Sequence, residues 1–281
     1  MPAFAGNQVF RVRREGPGAF LKLADGPDLR REVAVLEVLG PLGVPVPAIE
    51  AADPSGALAG VACVLLVEVP GEPADCSSPA FAQAGQPLRQ VHGVMLGGHG
   101  RLTASPEGLH GGHRSWAGAI AERAGDLGRL AESGLVDAGL LGQAAAAIRD
   151  RRDLLAGAES GHLLHGDFSP RHVFTRDRRI AGIIDWGDAI CGDPLYDLGR
   201  VLHSAVLERE GDVSYGLAVV ERLLGTYGDA PWLQRDLTEP MLVYAVAFIL
   251  WSMQGELDGG APWPPWWPNQ AAALSAILDR L

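Results

Sequence analysis

The stretch Leu163–Leu198, LLHGDFSPRHVFTRDRRIAGIIDWGDAICGDPLYDL, gathers most of the informative ionisable residues of the chain between short apolar runs. His172–Thr175 and Ile180–Asp185 read as strands joined by the polar turn Arg176-Asp177-Arg178-Arg179. Asp167 lies in the loop before the first strand and Asp185 ends the second. A hairpin of this size brings Asp167, His172 and Asp185 to one edge of a fold. Ionisable groups converging beside apolar strands point to a metal-assisted site.

Upstream, Val9–Val12 and Ala19–Leu23 flank Glu15-Gly16-Pro17-Gly18, a turn signal that predicts a hairpin. Lys22 is a lone cation inside the apolar run Phe20–Leu23. A helix is expected from a cap at Asp28 to Leu39, stopped by Gly40-Pro41, with Leu29, Val33, Leu36 and Leu39 on its apolar face. At 100° per residue Glu32 falls inside that apolar arc. A carboxylate there needs a cation, and Lys22 is the expected one; Glu37, at the edge of the arc, competes with Glu32 as the partner of Lys22. Val61–Glu68 then reads as a strand ending at Pro70-Gly71.

Beyond residue 71 the pattern is mostly helical, with helices expected over Phe81–Leu96, Ser115–Glu132, Asp137–Leu155, Leu195–Glu208, Ser214–Tyr227, Thr238–Leu257 and Asn269–Leu281. Trp116 is expected to anchor a core. Trp263, Trp266 and Trp267 sit in a proline-stiffened loop that either walls a pocket or wedges helices apart. The architecture implied is α+β with two lobes: a small β-rich lobe over 1–70 and a larger, mainly helical lobe over 71–281.

Bulk composition narrows the function. Hydrophobic residues make up 47% of 281, enough for a buried core. A net charge of −11 argues against a nucleic-acid binder and suits a cationic small molecule. Cys63, Cys76 and Cys191 share no metal-binding spacing and read as reduced thiols. The apolar run Met241–Trp251 is shorter than the roughly 20 residues of a membrane span. The opening MPAFAGNQVFRVRR lacks the pattern of a signal peptide, so a cytoplasmic location is expected.

His165-Gly166-Asp167 with His172, then Ile184-Asp185-Trp186-Gly187-Asp188 and Gly192-Asp193-Pro194 with Asp197, resembles the aminoglycoside phosphotransferase family of the protein-kinase-like superfamily. The resemblance implies a bilobal kinase-like fold and transfer of a nucleotide γ-phosphate to a hydroxyl. It implies that Asp167 accepts or orients the attacking hydroxyl and that Asp185 holds Mg²⁺, with His172 as the second ligand. Most relatives have Asn at the position of His172; a softer imidazole there admits Mn²⁺ and resembles the macrolide-kinase branch. Lys22 and Glu32 correspond to the phosphate-pairing lysine and its helical partner. Asn7 corresponds to the loop over the phosphates, and Val67 and Val69 to the hinge that binds adenine through its backbone. Asp188 faces metal or substrate, His165 organises the loop, and Asp197 anchors the segment after Asp185 near the helix that starts at Pro194. The nucleotide is ATP or GTP, and the acceptor is an aminoglycoside-like or related hydroxylated molecule. The alternatives are a macrolide phosphotransferase and a nucleotide-binding pseudokinase without turnover.

Overall fold

The structure, a computed structural model, describes residues 8–125, 127–155, 161–259 and 267–281. The amino-terminal hairpin forms as its turn signal predicts: β1 (Gln8–Val12) pairs antiparallel with β2 (Ala19–Leu23). After α1 (Gly26–Leu39), β3 (Ile49–Asp53) and β4 (Cys63–Val67) complete a sheet of order β1-β2-β4-β3. The helix packs Leu29 and Val33 against Val64 of the sheet. It begins earlier than expected, after Asp25, with Pro27 in its first turn where a missing N–H costs nothing. Asp28 is therefore not the cap. Its carboxylate lies in the first helical turn and accepts from Arg31 and from Arg101.

The remainder holds more strand than the helical reading allowed. β5 (Glu72–Pro73), α2 (Pro79–Ala82) and α3 (Gly85–His92) lead into β6 (Met95–Leu96), so the expected helix over Phe81–Leu96 is two short helices and a strand. β7 (His99–Ser105) and β8 (Gly108–His113) form a hairpin in a glycine-rich stretch. α4 (Trp116–Ala124) and α5 (Leu127–Glu132) replace one predicted helix, broken at Gly125 where φ is +71°. Next come α6 (Ala138–Asp150), α7 (Arg152–Leu155), β9 (Gly161–Leu164), β10 (Val173–Arg176), β11 (Arg179–Ile183) and β12 (Ile190–Gly192). Strands β6, β9, β12, β7 and β8 make a five-stranded sheet in that order, and β11, β10 and β5 a three-stranded one.

The carboxyl-terminal third is α8 (Leu195–Glu208), α9 (Val213–Tyr227), α10 (Thr238–Gly259) and α11 (Trp267–Leu278). On length and composition alone α10 could cross a membrane, but it is the central helix of the core. Met241–Leu250 is buried throughout, against α4, α6, α8 and α11. Trp116 is a core anchor, 2% exposed, and its indole N–H donates to the Tyr244 hydroxyl at 2.8 Å. Where α8 crosses α10, a Cβ on Gly199 would lie 2.8 Å from the Met241 carbonyl oxygen and 2.9 Å from Tyr244 Cβ. Alanine improves intrinsic helicity by about 1 kcal/mol, but overpacking against backbone costs about 1–3 kcal/mol. Gly199→Ala is therefore expected to lower stability by up to about 2 kcal/mol, read as a reduced urea midpoint at unchanged slope.

Candidate active site

The β10–β11 hairpin is closed by Asp177 and Arg178, both in the left-handed region at φ 52° and 63°. This is the conformation a two-residue hairpin turn needs to match strand twist. The hairpin is tied to the rest of the fold on several sides. Phe174 and Thr175 pair with Pro73 and Glu72, and the Ile183 N–H donates to the Pro45 carbonyl at 2.6 Å. His172 lies not in the strand, as the sequence suggested, but in a short 3₁₀ turn (Pro170–His172) just before it. That turn lets the Ile184 N–H donate to the His172 carbonyl at 2.9 Å, which brings the two strand ends together.

The loop before the hairpin is held from below. Asp197, fully buried in the first turn of α8, accepts from the backbone N–H of His165 at 2.8 Å and of Gly166 at 2.9 Å. The His92 imidazole on α3 pairs with the same carboxylate at 3.1 Å. Gly166 has φ +81°, and a Cβ there would stand 2.0 Å from the Asp188 carbonyl oxygen. Only glycine fits both demands. His165 contacts the Ile184 carbonyl through Nε2 at 2.9 Å and packs on Trp186 with centroids 4.5 Å apart.

Above this floor the ionisable residues meet. Asp167 Oδ1 accepts from Arg200 Nε at 2.6 Å, and Oδ2 from Arg171 Nη2 at 2.8 Å. Burial opposes the Asp167 charge, but Arg200, His172 and Arg171 outweigh it and hold the carboxyl well below its usual range. His172 Nδ1 donates to the Asp167 carbonyl at 2.9 Å, which leaves Nε2 as the lone-pair nitrogen. Burial pushes the His172 pKa down to about 4, against the pull of Asp167 and Asp185, so the ring is neutral near pH 7. Asp185 takes a left-handed backbone at φ 65° and ψ 66°, strained for a non-glycine residue, and this aims its carboxylate into the cleft. Oδ2 lies 3.6 Å from His172 Nε2, and Oδ1 lies 3.4 Å from Lys22 Nζ.

Lys22 also pairs with Glu32 at 2.8 Å, so the partner the helical wheel selected is the one found. Burial works against the ammonium, yet Glu32 and Asp185 hold its pKa above the usual lysine value. Next to Glu32, Arg31 donates twice to the Gly187 carbonyl, at 2.6 and 3.1 Å. The sequence reading missed Arg31, Arg171 and Arg200. Their signal was available only as charges on faces otherwise buried, at positions 31 and 200.

Other expected residues are placed differently. The Val67 N–H donates to the Ala48 carbonyl at 2.9 Å, which leaves other backbone groups of 67–69 for the hinge role expected of this segment. Val69 follows the strand and lies against Gly182, where a Cβ would meet its Cγ1 at 2.7 Å. Burial raises the Asp188 carboxyl, against the pull of Arg123 and Arg31. Asn7 and the segment 260–266, with Trp263 and Trp266, lie outside the described residues.

Among the described residues no group of three or more His, Cys, Asp and Glu gathers as a metal site. The two facing acceptors, His172 Nε2 and Asp185 Oδ2, nonetheless fit one divalent cation shared with a nucleotide. Magnesium takes few protein ligands and completes its shell with phosphates and water. His172 Nε2 also accepts from Arg171 Nε at 3.2 Å, so a cation that takes this lone pair displaces that bond.

Comparison with known proteins bears on the same elements. A model of the phosphotransferase enzyme family APH matches residues 3–234. A hygromycin-B 4-O-kinase of Escherichia coli is 40% identical over 43 residues, 15% of this chain and 13% of that kinase's length. Among solved structures, a thermostable variant of aminoglycoside phosphotransferase APH(4)-Ia has a TM-score of 0.72 at 16% identity, covering 100% of this chain and 93% of that one. The same enzyme in ternary complex with AMP-PNP and hygromycin B gives 0.72 at 17% identity, covering 100% and 90%. A macrolide 2′-phosphotransferase of Brachybacterium faecium gives 0.57 at 22% identity, covering 97% and 92%. At these identities the likeness of structures is one of fold, a mixed α and β kinase-like fold. The family match spans most of the sequence, and the chain belongs to the APH phosphotransferase enzyme family.

Proposed function

We propose that the chain is a small-molecule kinase that moves the γ-phosphoryl group of ATP or GTP onto a hydroxyl of an aminoglycoside-like acceptor. The observation that carries this reading is one continuous line of ionisable side chains. Glu32, Lys22, Asp185, His172 and Asp167 follow one another at 2.8, 3.4, 3.6 and 3.8 Å. In this reading Lys22, held by Glu32, pairs with the nucleotide phosphates, and Val69 belongs to the wall around the base. Asp185 and His172 hold the divalent cation, Mg²⁺ or Mn²⁺, which supplies neutralisation of phosphate charge when bound. Asp167 Oδ2 accepts the hydrogen of the acceptor hydroxyl and orients its oxygen. Positioning and charge stabilisation carry such a transfer, with little covalent work asked of the protein.

The acceptor class rests on the APH(4)-Ia relative, whose ternary complex holds hygromycin B and a nucleotide analogue. A macrolide acceptor is the second reading, favoured by His172 and by the macrolide 2′-phosphotransferase neighbour. A purely nucleotide-binding role lacks support, because it has no use for an ionised carboxylate beside the cation pair. Three free thiols, Cys63, Cys76 and Cys191, are in keeping with a reducing, cytoplasmic location.

The test is mass spectrometry of aminoglycosides and macrolides incubated with protein, ATP or GTP, and Mg²⁺ or Mn²⁺. One acceptor is expected to gain a single phosphoryl group, and Asp167→Asn to lower its rate by about 100-fold or more, in the range of general-base losses. Full turnover in that variant would sink the assignment of Asp167. Asp185→Asn is expected to abolish metal-dependent nucleotide binding, measured by titration calorimetry with and without EDTA. His172→Asn is expected to shift the preference from Mn²⁺ toward Mg²⁺; identical activity profiles for the two metals before and after would remove His172 from the cation site.

A further inference from the structure

The two oxygens of Asp167 are held by arginines of opposite character. Arg171, on Oδ2, has a side chain 58% exposed and is an arm on the surface of the cleft. Arg200, on Oδ1, has a side chain only 5% exposed and is built into the core. Its guanidinium lies over the Phe248 ring, 4.4 Å from the centroid. Nη1 donates to Ser204 Oγ and stands 3.5 Å from His203 Nδ1. His203 Nε2 donates in turn to Gln270 Oε1 at 2.7 Å, which fixes Nδ1 as the nitrogen that faces Arg200. A buried polar chain thus runs from Gln270 on α11 through His203 and Arg200 on α8 to Asp167. None of these outer residues touches the nucleotide or cation positions assigned above.

We propose that Arg200 is the positioning residue of Asp167. It locks Oδ1 into the core and so makes Oδ2 the oxygen presented to the acceptor hydroxyl. A carboxylate free to turn about its Cβ–Cγ bond exchanges its oxygens and its hydrogen-bond direction. A charge-assisted bond to a guanidinium that is itself fixed on three sides stops that rotation. Arg171 caps Oδ2 from the open side, and its exposed side chain yields this place to the acceptor. Catalysis by alignment is sensitive to such placement, since errors near 1 Å cost on the order of 100-fold. The inference rests on the reading of Asp167 as the group that orients the acceptor.

The experiment is steady-state kinetics of ATP turnover with Mg²⁺, with water and then hygromycin B as acceptor, for Arg200→Ala, Arg200→Lys, Ser204→Ala and Asp167→Asn. Arg200→Ala is expected to lose about 100-fold in kcat with the KM for ATP unchanged, because alignment is lost and nucleotide contacts are not. Arg200→Lys keeps the charge but not the fork, and is expected to recover part of that loss. Ser204→Ala, which frees one side of the guanidinium, is expected to lower kcat severalfold at unchanged KM. If Arg200→Ala does not fold, the lysine and Ser204 variants carry the test. Wild-type kcat in the Arg200 and Ser204 variants alongside an inactive Asp167→Asn would overturn the role of Arg200 alone. An active Asp167→Asn would instead overturn the reading of Asp167, and the inference with it. A rise in KM for ATP equal to the fall in kcat/KM would mark a structural role and reject positioning.

Discussion

Asp197 is the point on which the site stands. Its carboxylate is fully buried, and an unpaired charge there would be intolerable. It is satisfied by two backbone N–H groups of the loop and one imidazole, at 2.8, 2.9 and 3.1 Å. Because the donors are main-chain groups of His165 and Gly166, the bond dictates the path of the backbone and not merely a side-chain rotamer. That path goes with the left-handed turn at Gly166 and leaves Asp167 within reach of Arg200 on α8, at 2.6 Å. Removing one partner from such a buried charged cluster costs about 3–5 kcal/mol, so the loop, α3 and α8 hold together or fail together.

The sequence made some of this legible because certain signals are local. The turn at Glu15–Gly18, the helix Leu195–Glu208 and the apolar arc that holds Glu32 all depend on residues a few positions apart, and all are found. The sheet built from β6 to β9, β12, β7 and β8 was not legible. Its strands are short, and Gly97, Gly98, Gly100, Gly111 and Gly112 dilute the alternation on which strand recognition depends. Gly98, Gly100 and Gly111 are there for close approach: a Cβ at Gly111 would stand 2.3 Å from the His99 amide nitrogen. Arg200 was hidden for another reason. One cation in an apolar helix carries no record of its partner, and Asp167 is 33 positions away.

Net charge describes the whole molecule and not one cleft. The chain carries −11 overall, which is compatible with a cationic small molecule. Asp167 is flanked by Arg200 and Arg171, and Asp188 by Arg123 and Arg31 as well as by the carboxylates of Asp167 and Asp185. A buried carboxylate gathers cations whatever the rest of the molecule carries, because desolvation makes local pairing stronger than the distant, screened field.

The helix α1 explains why these charges are in register without a ligand. Two adjacent residues on it reach in different directions: Glu32 toward Lys22 on the first sheet, Arg31 toward the Gly187 carbonyl after Asp185. Kinases that are switched on and off separate these two connections, moving the helix to break the lysine–glutamate pair. Here both are made at once, at 2.8 and 2.6 Å, and Arg101 on β7 ties the start of the same helix through Asp28 at 2.5 Å. To withdraw Glu32 the helix would have to leave the Gly187 carbonyl unpaired and strand a buried guanidinium. The cost of that motion keeps Lys22 between Glu32 and Asp185, so the two contacts made by α1 hold or break together.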